Sequence, residues 1–250
     1  MLRRIVLAAL AAGLVAAVLV TAVQAFTTTP LILAAEVFES GAPAAGDGHA
    51  HAHGSGDHGT EGHGAAGDAF PGGGIDRLAM TAMANLVTGV GFALVAVACF
   101  ALSGRPVDAR SGLAWGMAGF VVFGLAPALG LPPELPGMIS ADVPDRQAWW
   151  AMVAGGTGIG LWLVLLARFR GAATLGVILI ALPHLLGAPH PEAQAGLVPA
   201  ELAARFAAAA LAVNALFWAA LGWTAGAAWS RLPGDAAEGA RAARLGGAAG

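Results

Sequence analysis

Apolar residues run through this chain in long unbroken blocks, not at the spacing of a half-buried helix or strand. An apolar helix needs roughly 17–25 residues to cross about 30 Å of hydrocarbon. Six blocks approach that length, at about 5–26, 78–102, 113–131, 147–167, 171–187 and 203–226. The fifth is short and holds Pro183, which predicts a kinked, re-entrant or half-length element. Backbone freed by a proline survives in lipid only where protein or water covers it. The pattern therefore predicts an all-α fold, a polytopic bundle of about six transmembrane helices with five as the alternative. In order, it gives a first transmembrane helix over 1–26, an extracytoplasmic segment over 27–77, the rest of the bundle over 78–229 and a cytoplasmic tail over 230–250.

Composition agrees with the pattern. Of 250 residues, 58% are hydrophobic and 11% charged, against about 25% charged in soluble domains. Mean hydropathy is +0.74. A soluble enzyme is excluded, and a net charge of −3 without a basic stripe gives no nucleic-acid partner. All 12 basic residues are arginines, and they set an orientation. With the N-terminus inside, Arg3, Arg4, Arg105, Arg110, Arg168, Arg170, Arg231, Arg241 and Arg244 are cytoplasmic. Only Arg77, Arg146 and Arg205 face out, each near a helix end where it can snorkel. Both termini are expected in the cytoplasm. Trp149, Trp150 and Trp229 suit interfacial belts.

The N-terminus also resembles a signal peptide, with Arg3 and Arg4, an apolar run and a V-x-A site at Val23–Ala25. Its apolar run of about 20 residues exceeds the usual 7–15, which favours an uncleaved helix. Three GxxxG pairs, Gly112/Gly116, Gly156/Gly160 and Gly222/Gly226, predict close helix packing. Cys99 and the Met80/Met83 pair read as core residues.

The chemistry concentrates in 41–74, GAPAAGDGHAHAHGSGDHGTEGHGAAGDAFPGGG, whose small residues build no core and predict a disordered loop. Five of the seven histidines lie there within 15 positions: His49, His51, His53, His58 and His63. Neutral imidazole binds Zn, Cu, Ni, Co and Fe, and nearby carboxylates add charge neutralisation. Gly and Ala neighbours orient nothing, so a modest, fast-exchanging site is expected. It weakens below the imidazole pKa of about 6.5 as protons compete. That suits a capture antenna; the alternative is a solvated loop in which histidine is incidental.

Polar residues at membrane depth are few: Gln24, Asn85, His184 and Asn214. Such groups are costly there and mark pathways or interhelical bonds. The two asparagines read as interhelical glue. His184 follows Pro183, and the Pro-His pair recurs at Pro189-His190; ligation or gating stands beside a capping role for both. No P-loop, GxSxG or HExxH motif occurs, and Gly155-Gly-Thr-Gly-Ile-Gly160 lies inside a span, where packing explains it.

At this point the chain resembles the CbtA family of predicted cobalt transporter subunits. The matching stretches are MLRRIVLAALAAGLVAAVLVTAVQ with PLILAAEVFE, GLAPALGLPPELPGMISADVPDRQAWW, and LPHLLGAPHPEAQAGLVPAELAARFAAAALAVNALFWAALG. The resemblance implies a bacterial inner-membrane subunit for cobalt uptake toward cobalamin synthesis, partnered by a small single-span CbtB subunit. Members are described with five spans, where this chain reads as six. Glu36, Glu134, His184 and His190 fall in the matching stretches and are expected to line or gate metal entry. No permanently bound cofactor is expected; a divalent transition metal, Co²⁺ foremost, is the substrate. The alternative is a non-transporting accessory protein that binds metal and delivers it to a partner.

Overall fold

The computed structural model describes residues 1–40, 75–191 and 196–232. All regular structure among them is helical: α1 (Leu2–Phe26), α2 (Thr28–Ser40), α3 (Ile75–Ser103), α4 (Ala109–Ala128), α5 (Val143–Leu165), α6 (Ala172–Leu186) and α7 (Ala200–Arg231). Five of these, α1, α3, α4, α5 and α7, are long and apolar enough to cross a bilayer. The residues 41–74, with their five histidines and the expected disordered loop, lie outside the described residues, as does the tail beyond 232.

Small residues face inward and large ones outward. Along α1 the buried positions are Ala8, Ala9, Ala12, Gly13, Ala16, Ala17, Val20 and Thr21. Leu10, Leu14, Val15 and Val18 are exposed. Lipid is as apolar as leucine, so association in a bilayer rests on close backbone approach, which small residues permit. This corrects the reading of Met80 and Met83 as core: both are exposed on α3. In a helix apolar all round, apolarity does not mark the core.

The glycine pairs make the approaches. A Cβ on Gly222 would stand 2.7 Å from the Gly116 Cα, and one on Gly116 would stand 2.9 Å from the Gly222 Cα, so α4 and α7 cross backbone to backbone. Gly13 on α1 meets Val90 on α3, beside Gly89. Gly160 on α5 meets Gly176 on α6, while Gly156 meets Leu179 one turn on. These registers run in opposite senses, so each pair is antiparallel.

The chain ends meet. The Arg4 guanidinium donates two hydrogen bonds to the Trp229 carbonyl, one from Nε at 3.1 Å, and sits 3.8 Å over the indole. An even number of passes is needed to bring α1's start beside α7's end. Five long helices alone are odd; α6 supplies the sixth pass. It is one unbroken helix of 15 residues, about 22 Å at 1.5 Å per residue. Left-handed glycines bound it, Gly171 at φ 85° and Gly187 at φ 88°. Pro183 lies in its last turn, where Gly187 N–H still reaches the Pro183 carbonyl (3.1 Å). Of the kinked, re-entrant or half-length element expected here, the structure shows a short continuous helix packed against α5.

The described arginines sort by end. Arg3, Arg4, Arg105, Arg110, Arg168, Arg170 and Arg231 belong to the end where the termini meet; Arg77, Arg146 and Arg205 belong to the far end. At the far end Ala35 of α2 packs with Leu135 and Phe206 in a small separate core. Helix α2 itself falls in a segment for which the sequence pattern gave only an extramembrane location.

One irregularity is internal. Helix α4 widens into a π turn over Val121–Leu125, with Ala126 N–H bonding back to the Val121 carbonyl. Pro127 explains it: it has no N–H for the Phe123 carbonyl, and its ring would collide with that carbonyl in a regular helix.

Candidate functional site

Two cavities open among α4, α5 and α7 toward the far end. The larger, about 870 Å³, has Glu134, Arg146, Gln147 and Asn214 among its walls. The smaller, about 320 Å³, reaches α1 and α3 and is lined by Gln24, Thr28, Asn85, Thr88 and Asn214. Phe123, Trp150, Ala210 and Asn214 line both.

The loop after α4 places Glu134. Pro132 and Pro133 stiffen the approach, and Leu135, 3% exposed, is anchored against Ala35 and Phe206. Glu134 Oε2 accepts from Ser140 Oγ (2.5 Å) and pairs with Arg146 Nη2 (2.7 Å) from the first turn of α5. The Arg146 Nε is buried without a partner among the described residues. Glu36 is likewise paired, accepting from Arg77 Nη1 at 2.7 Å. Both carboxylates therefore have an arginine beside them, which offsets the negative charge a cation would seek.

Deeper in, Asn85 Nδ2 donates to Thr21 Oγ1 (2.9 Å) and Gln24 Oε1 (2.7 Å), tying α3 to α1. This is the interhelical bond expected of Asn85. Asn214 differs: its side-chain oxygen is buried and accepts no hydrogen bond among the described residues, and the residue lines both cavities.

His184 lies elsewhere. Its ring meets Trp149 edge-on at 5.9 Å between centroids, behind α5, and its buried Nε2 has no partner among the described residues. His190 is exposed beyond α6. Neither lines these two cavities. Glu36, Glu134, His184 and His190 are not brought together: no group of three or more His, Cys, Asp or Glu able to hold a metal occurs among the described residues. His49, His51, His53, His58 and His63 lie outside the described residues.

Sequence reasoning passed over Arg146, Phe123 and Trp150. Phe123 had a signal available, a proline four residues later in an apolar helix. Arg146 looked like a snorkelling end charge, because no spacing rule links it to Glu134.

Long apolar helices with polar side chains bonded between them define the class as an integral membrane protein. The chain belongs to the CbtA family: residues 2–230, nearly the whole chain, match the family described as "Probable cobalt transporter subunit (CbtA)". It is thus a membrane subunit of a metal transporter family, and a subunit works with a partner. No curated protein and no solved structure matches the chain.

Proposed function

We propose that this chain is the membrane subunit of a bacterial inner-membrane Co²⁺ importer serving cobalamin synthesis, in which the histidine segment collects metal for the cavity beside Glu134. One observation carries the link between the two. The segment leaves the bundle at Ser40 and rejoins it at Ile75, and the Glu36–Arg77 pair stands at those two junctions. Ala35 of the same helix packs on Leu135, next to Glu134. The histidines are therefore tethered at the end where the larger cavity opens, and that end faces out under the arginine distribution.

In this reading His49, His51, His53, His58 and His63 bind the ion loosely and raise its local concentration. Glu134 keeps the mouth polar and Glu36 stands where the histidine segment leaves the bundle, each exchangeable between its arginine and an arriving cation. His184 and His190 line neither cavity and reach the ion only after rearrangement. A small single-span CbtB-like subunit completes the transporter. The role is transport, not catalysis.

The test is cobalt accumulation in cells lacking their own importer, expressing the chain with and without the small subunit, and with all five segment histidines changed to alanine. A partner-dependent rise, displaced to higher external cobalt by the alanine variant, is expected. Metal binding by the histidines with no accumulation in any combination would replace import by the accessory-protein reading. The arginine-paired carboxylates favour that reading as the second choice.

A further inference from the structure

We propose that the larger cavity is a lipid site, a cleft one leaflet deep that holds a glycerophospholipid with a zwitterionic, primary-ammonium headgroup. The phosphate sits on Arg146, the ammonium on Glu134, and an acyl chain lies between α5 and α7. The inference goes beyond the transport reading and does not depend on it.

The cleft follows from how the helices pack. Among the described residues, α5 packs on α6 and on the far-end half of α4 but not on α7. Its cleft face, Val143, Gln147, Trp150 and Ala151, recurs at helical spacing and is exposed. Ala210, Leu211 and Asn214 of α7 form the opposite wall, and the end of α4 forms the back. Asn214 lies about 21 Å along α7 from Ala200 at 1.5 Å per residue. Half a bilayer with its headgroups is about 20–22 Å, so the cleft spans one leaflet. Arg146, in the first turn of α5, and Trp150, one turn deeper, sit where arginine and tryptophan anchor at an interface.

The chemistry changes along that depth. Phe123, Pro127, Leu131, Val143, Trp150 and Leu211 make the wall largely apolar. Water does not fill apolar space of this kind, and an empty cleft forfeits dispersion contacts along every wall. Its volume, about 870 Å³, far exceeds the roughly 180 Å³ of an ion's six waters at about 30 Å³ each. An acyl chain of the surrounding bilayer suits both the size and the polarity, and it can enter from the side where α5 does not meet α7. The mouth carries one charge of each sign. Glu134 Oε2 is taken by Ser140 and Arg146 Nη2, but Glu134 Oε1 and Arg146 Nη1 make no hydrogen bond among the described residues, and neither is sealed from solvent. A ligand bearing both charges therefore complements the pair. Guanidinium suits phosphate, and a primary ammonium donates N–H bonds to a carboxylate, which a quaternary one cannot. An anionic headgroup would set like charge against Glu134. Under the transport reading, the headgroup is a resident that an arriving cation displaces from Glu134.

Native mass spectrometry of the full chain in detergent, alone and with its small partner subunit, reads the site at limiting lipid. The probes are phosphatidylethanolamine, phosphatidylcholine and phosphatidylglycerol with identical acyl chains. One phosphatidylethanolamine is expected to be retained at least about fivefold over either of the others. Glu134→Gln should erase the preference over phosphatidylcholine. Ala151→Phe combined with Leu211→Phe narrows the cleft from both walls and leaves the ion pair alone. It should lower phosphatidylethanolamine retention about fivefold or more, and it decides the matter should Glu134→Gln fail to fold. Equal retention of the three lipids by the unaltered chain, or full retention by the narrowed cleft, overturns the site. A preference that survives Glu134→Gln overturns the headgroup assignment. Loss of the lipid when the small subunit is added gives the cleft to a partner helix and overturns the proposal as well. None of these readings uses cobalt, so a chain that takes up no cobalt would strike the transport reading alone.

Discussion

At the scale of single residues, one substitution should have opposite signs at two glycines. Gly222→Ala drives a Cβ to 2.7 Å from the Gly116 Cα, and only a backbone shift relieves it. Overpacking of this kind costs about 1–3 kcal/mol. Gly91→Ala meets nothing within 4 Å and should stabilise α3 by roughly 0.5–1 kcal/mol through the lost glycine entropy. Thermal unfolding in detergent separates them: a lower midpoint for the first, an equal or higher one for the second. Asp108 offers a test by pH. It caps α4, accepting from Ser111 N–H (2.8 Å), and that bond holds its carboxyl below the usual carboxylate range. A depressed folded pKa gives stability above the unfolded value that is lost as pH falls through the folded one. The cap should therefore survive mild acid and fail only below the ordinary carboxylate range. Asp108→Asn, also a good cap, should abolish that pH dependence in the same unfolding measurement. The glycine pairs and Asn85 were legible in the sequence because they act through spacing and type. Met80 and Met83 were not, because lipid removes the polar face by which a soluble helix marks its core.

At the scale of elements, α6 decides the topology. The Arg4–Trp229 contact requires an even number of end-to-end runs, so with α6 as the sixth, loops 166–171 and 187–191 are expected on opposite faces. In a Cys99→Ala background, Phe169→Cys should label only from the face that holds the termini, and His190→Cys only from the other. Labelling of both from one face would leave α6 re-entrant and return the count to five. His184 sits behind α5 against Trp149 and outside both cavities. His184→Ala is therefore expected to leave cobalt uptake within about twofold of wild type, and a tenfold loss would place it on the route. The blocks of apolar residues predicted every long helix, with ends that moved by up to five residues. Helix α2 and the π turn were hidden. Helix α2 is apolar but too short to read as a span, and it docks on α1 and α7. The π turn follows from one missing amide at Pro127, which alters hydrogen bonding without changing hydropathy.

At the scale of the whole molecule, α1 belongs to the central core with α3 and α7, joined to it by Ala8, Ala9, Ala12 and Ala16. Whatever the resemblance of residues 1–25 to a signal peptide, a chain without them would lose that core and the Arg4 clasp. Membrane class, approximate pass count and family were readable from sequence, since each depends on block length or contiguous motif. The cavities were not: Glu134 meets Arg146, and Asn214 comes to share cavity walls with Phe123 and Trp150, only after α4, α5 and α7 pack.

The central claim, that this subunit moves cobalt across a membrane, is tested most directly by flux into sealed liposomes. The purified chain, with and without its small partner, would be reconstituted around a cobalt-quenched dye and challenged with external Co²⁺. The account predicts partner-dependent quenching several-fold faster than in protein-free liposomes. Quenching no faster than in protein-free liposomes, from a folded chain whose histidine segment still binds cobalt, would contradict it.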